Sequence, residues 1–181
     1  MSSVLLMGAL AACDARPPDV PSVPQVKLLA WDGDYPALFD DGIELPALGV
    51  SLDGQPASAD PQLPAQVRAS ELVTRVTVAT LSRDGNGEHS RYILSVRVEP
   101  NALVSRHFVV DTLDLTIQDS NPSYELVSSY ENTVRGRTFI AFLRRFQGPE
   151  GPVVHWHLTA DAPDVVQAVQ VASTLASLQE E

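Results

Sequence analysis

The chain predicts an α+β fold, a mainly antiparallel β-sheet with a C-terminal amphipathic helix packed on it. Three observations lead there. A Val- and Thr-rich run at 72–82 and a cleanly alternating run at 91–99 flank Asp84-Gly85-Asn86-Gly87, a strong turn signal, and so read as an antiparallel hairpin. Two more strand-like runs, 138–146 and 153–160, flank the Gly/Pro segment 147–152. Asp161-Ala162-Pro163 then opens a stretch of helical periodicity reaching Leu178.

Each element has a local reason. Residues 27–31 read as extended, followed by a turn through Asp32-Gly33-Asp34 and a second extended run at 43–52 interrupted by Pro46. The Pro-, Ala-, Ser- and Asp-rich stretch 53–64 reads as a loop. In 91–99, Tyr92, Leu94, Val96 and Val98 share one face, with Arg91, Ser95 and Arg97 on the other. Residues 108–118 predict a third strand, with a bulge where the alternation slips at Val109-Val110. Ser120-Asn121-Pro122 predicts a helix start, serine capping, and the short helix 124–134 closes at Gly136. The last helix carries Gln167, Gln170, Thr174 and Ser177 as a polar stripe. Val165, Val169, Ala172 and Ala176 lie on its broad apolar side, where Leu175 is also expected to pack. Such a sheet is expected to be covered on one face.

Composition narrows the function classes. The 181 residues are 44% hydrophobic and 19% charged, which suits a globular chain. Against 23 Asp and Glu stand 12 Lys and Arg, a formal net charge of −11. That balance repels nucleic acid, and no nucleic-acid partner is expected. Residues 1–66 hold nine acids and two bases, so the excess charge is concentrated in the front third.

The amino-terminal stretch carries an address. Residues 4–12 form an uncharged apolar run, too short for a bilayer span of about 20 residues and suited to a signal-peptide core. The run ends in Leu10-Ala11-Ala12-Cys13, whose small residues admit a peptidase and whose thiol can carry a thioether-linked lipid. This segment resembles the bacterial lipoprotein signal family, although Met1-Ser2-Ser3 lacks that family's basic start. The resemblance implies lipidation of Cys13 and cleavage just before it. Cys13 is the chain's one cysteine, so no disulfide competes for it. Residues 1–12 are therefore expected to be a signal peptide and 13–26 a lipidated, Pro-rich tether, with 27–181 a single α+β domain. The implied place is the membrane, reached through the lipid anchor and facing the periplasm or cell surface.

The order strand, Gly/Pro turn, strand, closing helix over 137–178 resembles the PsbP-like fold, including DcrB-type lipoproteins. Those end with a similar hydrophobic strand, acidic turn and amphipathic helix, here 153–178. The resemblance implies an accessory or scaffold role in the cell envelope and carries no catalytic residue.

Few residues suggest chemistry. His155-Trp156-His157 places two imidazoles on one face of a strand, where both could reach a metal ion while Trp156 packs inward with Val154 and Leu158. Zinc needs three or four ligands, and neither His89 nor His107 is near in sequence, so a polar sheet face is the plainer reading. Asp32, Asp34, Asp40, Asp41 and Glu44 cluster oxygen ligands suited to calcium, but without EF-hand spacing they read as a solvated turn. Arg144-Arg145, with Arg135 and Arg137, points to both sheet faces and reads as scattered ion pairing. No Gly-x-Ser-x-Gly elbow, dinucleotide fingerprint or phosphate loop occurs. The expectation is a non-enzymatic envelope lipoprotein that binds a protein partner or supports an assembly, with no cofactor. The alternative is a small-ligand or metal-binding lipoprotein using His155 and His157, with hydrolytic activity there.

Overall fold

A computed structural model describes residues 27–50, 56–85, 89–106 and 108–179. Residues 1–26, where the signal peptide and tether are expected, and His107 lie outside the described residues, Cys13 among them. The class is α+β. Seven strands among the described residues form one mixed, mostly antiparallel sheet, ordered β1-β7-β6-β2-β3-β5, with β4 beside β2. They are β1 (Gly42–Ile43), β2 (Leu72–Asp84), β3 (Arg91–Val98), β4 (Val104–Ser105), β5 (Thr112–Gln118), β6 (Thr138–Gly148) and β7 (Gly151–Ala160). The α-helices are α1 (Tyr35–Leu38), α2 (Leu63–Ala69), α3 (Ser123–Val134) and α4 (Pro163–Gln179).

The central strands form as their patterns dictate. In β3, Tyr92, Leu94, Val96 and Val98 are all buried on one face. β6 behaves differently: Phe139–Leu143 is buried at every residue. A strand buried without alternation has cover on both sides, and that corrects the expectation of a sheet covered on one face. On one side Phe139, Ala141, Leu143, Trp156 and Leu158 pack with Tyr124, Val127 and Val134 of α3. On the other, Ile140, Phe142 and Phe146 pack with Leu63 and Val67 of α2 and Val165, Val169 and Ala172 of α4. The β3–β5 half keeps a wetter outer face, where Arg97 and Asp114 are exposed.

Four further expectations need correcting. Of the run expected at 43–52, the described part 43–50 is extended only at its start: Ile43 ends β1, and Leu45–Leu48 is a 3₁₀ turn with Pro46 near its start, ended by Gly49 at φ 84°. Within 53–64, Pro64 lies in the first turn of α2 rather than in a loop, since proline's fixed φ suits a helix start. The third strand begins only at Thr112, and Val109 is 88% exposed. The register irregularity lies instead in β2, between Val78 and Thr80. In α4 the four expected core residues are buried, but Leu175 is 56% exposed.

Candidate functional site

The two candidate groups of the sequence, the histidines and the acids, meet. β1 runs parallel to β7, pairing Gly42 with His157 and Ile43 with Leu158. The segment bearing Asp40, Asp41 and Glu44 therefore lies along the strand bearing His155 and His157. As expected, Trp156 and Leu158 point into one core, with Val154 packed against it. His155 and His157 occupy the opposite face, beside the β6 partners Arg144 and Phe142.

His157 is held at both ring nitrogens. Nδ1 lies 2.8 Å from Asp40 Oδ1 and Nε2 3.0 Å from Glu44 Oε1. Only the doubly protonated imidazolium can donate both bonds. The ring is buried at 8% exposure, and burial pulls its pKa down. The hydrogen bonds and charges of Asp40 and Glu44 outweigh that and push it up to about 9. Glu44 also accepts the buried Thr159 hydroxyl.

His155 is held differently. Its Nδ1 lies 2.7 Å from Asp41 Oδ2, and its ring stacks on Trp31 at 3.6 Å between centroids and 6° between planes. Asp41 adopts φ 52°, a left-handed conformation uncommon for a residue with a side chain. Its surroundings hold it there. Its Oδ1 accepts the Trp156 N–H at 3.0 Å, and its own N–H donates to the Trp156 carbonyl at 2.9 Å. From the other side Asn121 Nδ2 donates to the carbonyls of Asp40 at 2.6 Å and Asp41 at 3.2 Å. Ser123 Oγ accepts the Ile43 N–H at 2.9 Å.

These contacts are hydrogen bonds. Nitrogen and oxygen atoms at 2.7–3.0 Å share protons; a zinc ion would need ligand distances near 2.0–2.2 Å and the protons gone. Among the described residues no group of three or more His, Cys, Asp or Glu side chains could hold a metal ion. Asp32 and Asp34 stay exposed in the turn before α1, and His89 is exposed ahead of β3. The arginines form no common patch. Arg145 pairs with Glu71 at 2.7 Å, while Arg144 donates to the Ala69 carbonyl and lies 5.0 Å over the Tyr35 ring. Sequence reasoning missed the role of Asn121, whose side chain accepts the Ser123 N–H at 2.8 Å just ahead of α3, where the expected serine cap is not formed. The Asn-Pro pair was its only local signal. Trp31 and Thr159 carried none.

Beside the cluster a cleft opens between β5 and the start of β7. Leu113, Asp114, Thr116 and Gln118 line one side, Val153, Val154 and His155 the other, and Asp41 and Asn121 one end. Compared with family models, curated proteins and solved structures, the chain matches none.

Proposed function

We propose that the chain is a lipid-anchored cell-envelope protein whose α+β domain is a non-enzymatic binding or assembly-support module, facing the periplasm or cell surface. The address rests on Leu10-Ala11-Ala12-Cys13 and the lone cysteine. For the domain, the carrying observation is the pairing of Asp40, Asp41 and Glu44 with His155 and His157. Both ring nitrogens of His157 and the Nδ1 of His155 go to these carboxylates, and the pairs fasten β1 to β7. The net charge of −11 opposes nucleic acid, and the partner proposed is a protein.

Metabolic labelling with a fatty-acid probe tests the anchor. The wild-type chain should take the label and partition with membranes, and Cys13→Ser should be unlabelled and soluble. Equal labelling of both forms would end the lipoprotein reading.

A further inference from the structure

The cleft beside the histidine cluster is bounded by two sheet edges whose backbone finds no strand partner there among the described residues. Among the described residues β5 is the last strand of its sheet and pairs only with β3. Two bonds bracket that ladder: Val98 N–H to the Asp111 carbonyl at 2.9 Å, and Asp119 N–H to the Ser90 carbonyl at 3.1 Å. Bonded and non-bonded pairs alternate in an antiparallel ladder. Leu113, Leu115 and Ile117 therefore turn their backbone groups toward β3, and Thr112, Asp114, Thr116 and Gln118 turn theirs to the open edge. Asp114, Thr116 and Gln118 are cleft residues.

The facing edge belongs to β7. Trp156 turns its N–H and carbonyl outward, where the side chain and N–H of Asp41 take both. The same alternation turns Val154 outward, yet β1 pairs only with His157 and Leu158. Asp41, in its left-handed conformation, is thus the stopper at which the β7 edge ceases to be covered. Edge strands usually carry lysine, proline or bulges against stray pairing. β5 has neither lysine nor proline, its register with β3 is unbroken, and its one charge is Asp114.

We propose that this cleft takes an extended, positively charged peptide segment of a partner protein, added as a strand along β5. Main-chain bonds would supply affinity, and alternate side chains would meet Leu113 and Val154 or the acidic rim. Charge selects the occupant. The cleft is lined by Asp114, exposed on its β5 side, and by the paired Asp41 and His155, with no lysine or arginine among its lining residues. A second copy would set Asp114 near its own counterpart and bring another −11 of net charge, which opposes β5-to-β5 pairing. The proposal deepens the binding-module reading and rests on it, while the acylation of Cys13 is read by a separate experiment.

The full chain is titrated with a fluorescent ten-residue peptide of alternating lysine and valine. The controls are an alternating glutamate and valine peptide, and the lysine peptide N-methylated at every second residue. Binding that weakens with salt, and a loss of about tenfold or more for either control, is expected. Amides of Asp114, Thr116 and Gln118 should gain hydrogen-exchange protection. Thr116→Pro should abolish that protection. Asp114→Lys replaces an exposed side chain at the cost of one exposed bond, that from the Ser95 hydroxyl, so it tests the site should the proline variant not fold; it should weaken binding about tenfold. Equal binding of the N-methylated peptide, or protection away from β5, overturns the proposal. So does protection of β5 in the free chain, whether by dimerisation or by residues 14–26.

Discussion

Asp40 and His157 meet at 2.8 Å although 117 positions separate them in the chain. With Glu44 on the other ring nitrogen, the pair makes a buried cation the fastener of β1 to β7. A histidine so held is a stability device, and its sign is fixed by the direction of the pKa shift.

Stability should fall on the alkaline side. The pKa of His157 rises from 6.5 to about 9 on folding, so its contribution is complete below about 6.5 and is lost as pH climbs through 9. The rise corresponds to about 3 kcal/mol. Urea midpoints measured from pH 6 to 10 should decline across that window, and His157→Gln should flatten the decline. A wild-type profile no steeper than the variant's would refute the charged-histidine assignment.

The two sides of α4 should respond differently. Val169 is fully buried, and Val169→Ala should cost about 2 kcal/mol. Leu175 is mostly exposed, so Leu175→Ala should stay within about 0.5 kcal/mol of wild type. Thermal melts of the two variants decide the matter, and equal losses would mean that the helix is seated differently.

Asn121 joins α3 to the β1 segment. Asn121→Ala removes both the acceptor of the Ser123 N–H and the donor to the Asp40 and Asp41 carbonyls, and should cost about 1–2 kcal/mol. Hydrogen exchange should quicken at Asp41 and Ile43 before it does in the central strands. Unchanged exchange there would show that β1 is held by β7 alone.

Metal should not be what holds the cluster. Since both nitrogens of His157 are engaged by carboxylates, elemental analysis of the purified protein should find well below one zinc or calcium per chain. His155→Ala with His157→Ala should lower stability without releasing an ion. About one metal per chain, lost in that double variant, would restore the metal-binding alternative.

Much of the architecture is legible in the sequence because strand and helix periods are local. Alternation at 91–99 identified Tyr92, Leu94, Val96 and Val98 as core, and the 3.6-residue period identified Val165, Val169, Ala172 and Ala176. Trp156 and Leu158 were assigned inward by the same rule. Proline misled twice, at Pro46 and Pro64, because it opens helices as readily as it fills loops.

By itself the sequence determined the class, the central hairpins, the closing helix and the buried stripe of each, and it singled out both the acids and the histidines. Only the tertiary structure decided that these two groups are one. A two-residue parallel pairing between segments more than a hundred residues apart leaves no local pattern. The second covered face, the exposure of Leu175 and the open edge of β5 were decided in the same way. Periodicity tells which side of an element is apolar, but what covers that side, and which backbone groups find no partner, depends on the order in which distant strands are laid together.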